Sequence, residues 1–176
     1  IRLAELVTGE SLSRFDFAAL CNVHHYIFQD VYEWAGKIRI INIEKSEPVL
    51  GGISIEYSDC FDIVKDVTFI LDKMNRYAWE ESSIDEAAEI FSKYLAELWK
   101  VHPYREGNTR TIITFCSQFI ESKGFYIDSD LFKDHAQYMR TALVAATSLF
   151  SDLGDKRKPE YLEKIVLDAL ERGQEM

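Results

Sequence analysis

The chain has 176 residues, of which 47% are hydrophobic and 13% aromatic, enough to bury one good core and too few to favour two. We expect a single domain over residues 1–176, with its core at about 15–150 and a C-terminal helix at about 159–172. The formal net charge of −10 disfavours nucleic acid as a partner, because most of the surface would repel a phosphate backbone. No stretch approaches the roughly 18 apolar residues of a membrane span, so no membrane association is predicted.

The cysteines bear on the cellular compartment. Cys21, Cys60 and Cys116 are unevenly spaced and lie in apolar, helix-like stretches. Disulfide and zinc frameworks have other spacings, so we expect buried thiols in a reducing compartment. This predicts a cytoplasmic location.

Apolar residues recur at helical spacing through most of the chain, and three prolines punctuate the pattern. Ser83, followed three residues later by Glu86, is typical of a capped helix start. The spacing predicts helices over residues 16–28, 60–77, 83–101, about 107–124, 131–150 and 159–170. The predicted fold is therefore all-α.

One region departs from helical spacing. Residues 38–57 alternate apolar with polar side chains, and they also contain Pro48 and the pair Gly51-Gly52. Alternation on both sides of such breakers predicts a short β-hairpin flap with a mobile tip.

A concentration of polar residues separates two apolar helices at 102–110. Gly107 and Asn108 at a helix start would leave backbone N–H groups free for a phosphate, and the helix dipole favours an anion there. Arg110, about one turn further on, could add a charge-assisted hydrogen bond to the same anion. These residues predict an anion site.

Two further side chains of this segment suit chemistry on a polyphosphate. Glu106 offers the kind of oxygen ligand through which Mg²⁺ is tethered to a nucleotide. His102 titrates near neutrality in water, so it can accept a proton from an incoming hydroxyl. An anion site, a metal ligand and a base within nine residues indicate phosphoryl or nucleotidyl transfer.

Residues 102–113 are His-Pro-Tyr-Arg-Glu-Gly-Asn-Thr-Arg-Thr-Ile-Ile, which resembles the Fic-domain motif His-Pro-Phe-x-Asp/Glu-Gly-Asn-Gly-Arg-x-x-Arg. Residues 34–39, Trp-Ala-Gly-Lys-Ile-Arg, resemble the Trp-x-Gly-x-x-Arg stretch that leads into the flap of that family. The resemblance spans roughly residues 15–150, and a match of this length is more specific than the motif alone.

The resemblance implies a Fic-type helical bundle with a short β-hairpin flap. It also implies a protein adenylyltransferase that moves AMP from ATP, with Mg²⁺, to a Ser, Thr or Tyr hydroxyl of a target protein. His102 would be the base, Tyr104 would anchor the loop in the core, and Glu106 would hold the metal. The residues implied to bind the nucleotide, through backbone amides, the Asn108 side chain and the Arg110 cation, are Gly107, Asn108, Thr109 and Arg110.

The flap is implied to register an extended segment of the target by backbone pairing. The flap residues implied in this docking are Ile41, Asn42, Ile43 and Glu44. A separate antitoxin-like inhibitor is a further partner that the resemblance suggests by analogy alone. The oligomeric state is left open.

Two positions depart from the family motif. Thr109 replaces a glycine where backbone approaches phosphate, and Ile113 replaces the last arginine. Losing that cation is expected to weaken the grip on the triphosphate. Residues 166–173 offer a glutamate but not the regulatory Ser/Thr-x-x-x-Glu-Gly/Asn pattern, so we predict no autoinhibition in cis.

Structural explanations remain for the same side chains. His102 before a proline could be a helix cap, and Glu106 could be a first-turn acid paired with Arg110. Neither explains Gly107 and Asn108 at a helix start. Functional alternatives are a Fic-fold enzyme that uses another phosphate-containing donor or removes AMP, and a catalytically silent nucleotide-binding module. The other notable histidine, His24, is expected in the core.

Overall fold

The computed structural model describes residues 15–176, and within this range it contains seven α-helices. We number them α1, Phe17–Phe28; α2, Ile63–Arg76; α3, Ile84–Val101; α4, Asn108–Ser122; α5, Asp130–Asp134; α6, Ala136–Ala146; and α7, Glu160–Glu175. Short 3₁₀ turns lie at Pro48–Leu50, Cys60–Asp62 and Trp79–Glu81. An antiparallel pair of two-residue strands, β1 (Leu149–Phe150) and β2 (Gly154–Asp155), forms the sheet. The mainly helical fold is confirmed.

Helix α3 is the central element of the bundle. It contacts α2, α4, α6 and α7, and apolar side chains on several of its faces are buried, among them Phe91, Leu95 and Trp99. A helix that is apolar on several sides is stable only when other helices surround it. Its C-terminal end, where the segment 102–110 begins, is therefore held inside the protein.

Side-chain caps fix the starts of two helices. The Asp16 carboxylate accepts from the N–H of Ala19 at 2.9 Å at the start of α1, and Ser83 Oγ accepts from the N–H of Glu86 at 3.2 Å at the start of α3. The predicted cap at Ser83 is confirmed. Such caps satisfy N–H groups that the helix itself leaves unpaired.

The two-stranded sheet lies at 149–155, whereas residues 38–57, for which the sequence predicts the hairpin, contain no strand. Side chains take the place of a backbone ladder there: Ser54 Oγ accepts from the N–H of Lys45 at 3.0 Å. At the tip, the N–H of Glu47 donates to Ile53 at 3.1 Å and a 3₁₀ turn follows at Pro48–Leu50. We call residues 38–57 the flap.

The predicted helix over 131–150 is shorter and broken in the structure. The chain leaves helical geometry at His135, between α5 and α6. Helix α6 ends at Ala146, because the hydroxyls of Thr147 and Ser148 donate back to the carbonyls of Leu143 and Val144 at 2.8 and 2.6 Å. Such side-chain bonds compete with helix continuation, and the chain then enters β1.

The thiol of Cys116 is fully buried, while Cys21 and Cys60 are half-buried, and all three are free. Burial raises the pKa of the Cys116 and Cys21 thiols. Across residues 15–176, none of the helices combines the length and apolar character needed to cross a bilayer.

Candidate active site

His102 lies at the turn that ends α3, with an unusual backbone. Its φ of 52° and ψ of 63° are left-handed, and within residues 15–176 it is the one non-glycine residue with positive φ. This conformation costs an ordinary residue of the order of 1–2 kcal/mol, and such strain is concentrated at functional sites. The left-handed turn stops α3 and turns the chain into the segment 103–107.

The ring of His102 is buried and its tautomer is fixed by a neighbour. Nδ1 lies 2.9 Å from the carbonyl oxygen of Trp99, which can only accept, so Nδ1 carries the hydrogen. The ring stacks on Tyr57 with centroids 4.1 Å apart and meets Trp99 edge-on at 5.0 Å. The neutral imidazole therefore has its lone pair on Nε2.

Burial lowers the pKa of His102 to about 3. The positive charges of Lys45, Arg140 and Arg39 contribute to this lowering, while the hydrogen bond to Trp99 opposes it. The ring is therefore neutral at physiological pH, and Nε2 is free of a proton. The hydroxyl of Tyr57, stacked beside it, is buried without a hydrogen-bond partner among the described residues, and burial raises the pKa of Tyr57 to about 12.

Arg39 fixes the backbone around His102 through hydrogen bonds to carbonyl groups. Its buried guanidinium donates to the carbonyl of His102 at 2.8 Å and to that of Val101 at 3.1 Å. It also donates to the carbonyls of Ile41, at 2.9 Å, and Ser58. These bonds satisfy carbonyls that α3 leaves unpaired, and they join the end of α3 to both ends of the flap.

The anion site predicted at the start of α4 has the expected backbone geometry. Gly107 precedes the helix with φ of 83°, and no side chain caps the first turn. A Cβ on Gly107 would lie 2.4 Å from a ring carbon of Phe28, so no other residue fits. Among the described residues, no side chain caps the first-turn N–H groups, and the dipole of this 15-residue helix favours an anion there.

Asn108 closes the loop that leads into α4. Its Oδ1 accepts from the N–H of Tyr104 at 2.9 Å and its Nδ2 donates to the carbonyl of Tyr104 at 2.7 Å. The ring of Tyr104 is completely buried, as expected of the residue that anchors the loop. The side chain of Asn108 thus has a structural task in addition to the predicted contact with phosphate.

His24 joins helix α1 to the loop from the other side. Its Nδ1 accepts from the N–H of Gly36 at 2.9 Å, so its Nε2 is the donor to the carbonyl of Glu106 at 3.0 Å. The ring is buried and stacks on Tyr104 with centroids 3.9 Å apart. The expectation of a core histidine is confirmed, and burial lowers its pKa.

Thr109, the first departure from the motif, has a specific partner. Its Oγ1 accepts from the indole N–H of Trp99 at 2.9 Å, and Trp99 is fully buried. A glycine at this position would leave a buried donor unpaired, which is unfavourable. The second departure, Ile113, packs half-buried against the core.

Glu106 projects into solvent beside the anion site, with 60% of its side chain exposed. Its Oε2 lies 3.4 Å from Nζ of Lys45 in the flap. A partner at Arg110, the structural alternative for Glu106, is not seen among the described residues; the Arg110 guanidinium lies 5.5 Å from the ring centre of Phe28.

The donors at this position fit magnesium bound together with a polyphosphate. No group of three or more His, Cys, Asp or Glu side chains capable of holding a metal occurs in residues 15–176. Mg²⁺ is usually held by one or two carboxylates and by substrate phosphates. Glu106, beside an uncapped helix start, provides that arrangement.

The flap residues predicted to dock a target are largely exposed. Ile41, Asn42 and Glu44 are exposed and Ile43 is half-buried. Within the described part of the chain, no backbone-to-backbone hydrogen bond involves residues 42–44. Their N–H and C=O groups are therefore open to an added strand.

Sequence reasoning missed several residues that build this site. Arg39 belongs to the quoted Trp-x-Gly-x-x-Arg stretch, so that stretch signalled it, although not its bonds. Arg140 and Lys45 had no signal, because their partners are distant in sequence: Arg140 donates to the buried Glu47 at 2.9 Å. This ion pair fastens the flap to α6.

Comparison with known proteins identifies the family of the chain. The model of the Fic/DOC family matches residues 14–120. The chain is 31% identical over 130 residues to "Protein adenylyltransferase VbhT" of Bartonella schoenbuchensis, covering 74% of this chain and 26% of that protein. It is 34% identical over 122 residues to "Probable protein adenylyltransferase y4lH" of Sinorhizobium fredii, covering 64% and 56%. The chain thus spans between about a quarter and somewhat over half of these relatives.

Solved structures share the fold at low identity. The BepC effector of Bartonella tribocorum, solved with AMPPNP, superposes with a TM-score of 0.74 at 18% identity, covering 96% of this chain and 80% of that one. A Fic domain of Bartonella quintana, solved with ADP, gives 0.76 at 19% identity, covering 96% and 78%. Since the family model matches 107 of the 176 residues, from 14 to 120, the chain belongs to the Fic/DOC family.

Proposed function

We propose that the chain is a protein adenylyltransferase that transfers AMP from ATP to a Ser, Thr or Tyr hydroxyl of a target protein and releases pyrophosphate. The main support is His102, neutral with Nε2 unprotonated, in the segment that leads into an uncapped helix start and also contains Glu106. Relatives named protein adenylyltransferase, and structural neighbours solved with AMPPNP or ADP, favour the same reaction class.

In the proposed reaction the target hydroxyl gives its proton to Nε2 of His102. The oxygen forms a bond to the α-phosphorus of ATP, and the bond from that phosphorus to the bridging oxygen of pyrophosphate breaks. The carbonyl of Trp99 holds Nδ1–H at 2.9 Å, so Nε2 is the nitrogen that receives the proton. A general base placed in this way contributes typically about 10²–10⁴-fold to the rate.

The remaining residues position and neutralise the donor. The first-turn amides of α4 and the Arg110 cation would hold phosphate oxygens, and Glu106 would hold Mg²⁺. When bound, the metal would neutralise charge on the phosphates during transfer. Nucleotide charge would also oppose the cations around His102 and raise its pKa, which makes the imidazole a better base in the complex.

The target segment is proposed to pair with residues 42–44 of the flap as an added strand. Their backbone groups make no backbone bonds to other described residues, and the side chain of Ile41 beside them is 59% exposed. Pairing through the main chain would give affinity, and flap side chains would select among targets.

The test uses α-phosphate-labelled ATP, Mg²⁺ and a bacterial lysate, with the wild-type chain and His102→Asn. Asparagine tolerates the left-handed backbone that alanine would strain, so the variant isolates the loss of the base. We expect labelled protein with wild type and none with His102→Asn, while ATP still raises the melting temperature of both. His135→Asn, at an exposed histidine, is the matched control.

Label that persists in His102→Asn would overturn the assignment of the base. Stabilisation by ATP without any label would instead favour the silent nucleotide-binding module. Label only from a different donor, or loss of AMP from a modified protein, would favour the other Fic-fold enzymes.

A further inference from the structure

The three cations near His102 differ in their protein partners. Lys45, Arg140 and Arg39 all act on His102. Arg39 is buried and uses its guanidinium on four backbone carbonyls. Arg140 is bound to the carboxylate of Glu47, with 2.8 Å between the closest atoms. Neither guanidinium can turn to a ligand without breaking the structure around the flap.

Lys45 is the cation of this group whose partner belongs to the proposed nucleotide site. Its Nζ is 3.4 Å from Oε2 of Glu106, and 24% of the Lys45 side chain is exposed. Its backbone N–H is held by Ser54 Oγ at 3.0 Å. Two residues further on, Glu47 is fastened to Arg140. The stem of Lys45 therefore starts from a fixed point and ends beside the presumed metal ligand.

The chain lacks one cation that the family motif leads one to expect. Ile113 replaces the last arginine of the motif, and it packs half-buried against the core. Among the motif residues, Arg110 is left to contact the polyphosphate. A polyphosphate with several negative charges is bound more tightly by two cations than by one.

We propose that Lys45 binds the terminal phosphates of a nucleoside di- or triphosphate held at the start of α4. The inference rests on the proposed function, because it takes Glu106 as the metal ligand. A metal shared by Glu106 and a phosphate brings that phosphate close to the same carboxylate, and Nζ of Lys45 is already within 3.4 Å of it. The flexible stem of lysine lets the ammonium move to a phosphate oxygen.

This assignment predicts which ligands lose affinity when Lys45 is replaced. Terminal phosphates are present in ATP, ADP and free pyrophosphate, but AMP has only the phosphate that the helix start would hold. Loss of Lys45 should therefore weaken the binding of ATP, ADP and pyrophosphate and leave the binding of AMP unaffected. Pyrophosphate separates the two sources of the same chemistry, a bound nucleotide and a free polyphosphate.

The experiment measures binding by calorimetry in the presence of Mg²⁺, with the whole chain and the variants Lys45→Met and Lys45→Arg. We expect Lys45→Met to weaken the binding of ATP and ADP by about 10- to 100-fold, the range of a charge-assisted contact. AMP should change less than about twofold, and Lys45→Arg should recover most of the loss. Lys65→Met is the matched control, because Lys65 and Asp62 also form an ion pair of 3.4 Å, outside the site.

Unchanged ATP affinity in Lys45→Met would overturn the inference. Tighter binding would overturn it too, because it would show that Lys45 only competes with the metal for Glu106. Equal losses for AMP and ATP would indicate a general effect on the flap and would also contradict it. Pyrophosphate that binds as tightly as ATP would assign Lys45 to free polyphosphate and overturn the nucleotide assignment.

The binding assay requires no catalysis, so the two proposals can fail separately. If Lys45→Met selectively loses ATP and ADP binding but wild type transfers no label, the phosphate-binding role of Lys45 stands and the proposed adenylyltransferase activity is wrong. Label that depends on His102, with normal ATP binding in Lys45→Met, would do the reverse. A wild-type chain that binds no nucleotide would reject both.

Discussion

The proposed catalytic segment, residues 102–110, and the flap are in contact through the pair Lys45–Glu106, but they are held in different ways. Buried groups fix the segment: Arg39 and His24 bind its carbonyls and Asn108 closes its turn. Beyond Arg39, the flap instead relies on a few side-chain bonds, among them the ion pair Glu47–Arg140, in which Glu47 is buried. The rigid half would position the proposed base and anion site, while the more exposed half presents Lys45 and unpaired backbone groups beside them.

Arg39→Met should have the largest effect on this arrangement. It leaves four carbonyls without their donor, two at the end of α3 and two in the flap region. Unsatisfied buried groups cost about 1–3 kcal/mol each, so we expect a loss of at least about 3 kcal/mol in the free energy of unfolding. Urea denaturation measures this loss.

The control for that experiment is Arg157→Met, which removes an exposed arginine paired with Asp155. Its unfolding midpoint should stay close to that of wild type, because exposed ion pairs contribute little. If Arg39→Met unfolded at the same midpoint as Arg157→Met, the buried scaffold proposed for the catalytic segment would be wrong.

Acid should weaken the rigid half through His102. Its pKa is about 3 in the folded chain and 6.5 in the unfolded reference, so the unfolded chain takes up the proton first as pH falls. The part of the unfolding free energy that depends on neutral His102 is fully present above about pH 6.5 and is lost progressively down to about pH 3. Between pH 7 and 5 this amounts to about 2 kcal/mol.

His102→Asn should remove that portion of the pH dependence, measured as unfolding free energy in urea from pH 5 to 7. His135→Asn, at an exposed position, should leave the slope unchanged. Equal slopes for wild type and His102→Asn would mean that the ring is not kept neutral by burial.

Thr109→Gly tests whether restoring the motif residue helps or harms. The indole N–H of Trp99 would lose its acceptor, and glycine weakens a helix, so we expect a loss of about 1–2 kcal/mol. Thr109→Ser keeps the hydroxyl and should retain most of the stability. Thermal unfolding compares the two, and a more stable Thr109→Gly would contradict the role given to this hydrogen bond.

The smallest effect is expected in the flap. Glu47→Gln weakens the ion pair with Arg140, so hydrogen exchange at the amides of Glu47, Gly51 and Gly52 should become about tenfold faster. Exchange at Tyr104, inside the catalytic segment, should not change. Asp168→Asn, which breaks an exposed pair in α7, is the control. Equal acceleration in both halves would remove the distinction between them.

The difference between the two halves also determines how far the sequence could be interpreted. Helices α1 and α3 were predictable because their apolar spacing and caps, such as Ser83, are local signals. The start of α4 after Gly107 was predictable for the same reason. The conformation of the flap was not, because alternation suggested strands, whereas Asn42 and Glu47 hold it through side chains whose partners lie 18 and 93 residues away.

Long-range pairs account for the rest of the differences. The ion pair of Glu47 with Arg140 joins residues 93 positions apart, and that of Lys45 with Glu106 joins residues 61 apart. The sequence around either residue of such a pair contains no signal that identifies its partner. The hydrogen bond of Thr109 to Trp99 spans ten residues and crosses a left-handed turn, so the departure from the motif appeared unsupported until the two side chains were seen together.

One side chain also determines the order in which the protein can come apart. Arg39 binds the last carbonyls of α3, the carbonyl of Ile41 and that of Ser58. The end of that helix and the two ends of the flap are therefore parts of one cooperative unit, a foldon in the language of native-state exchange. The turn at His102 cannot melt while these ends of the flap stay folded, so heat should disrupt the proposed base and the proposed docking residues in a single step.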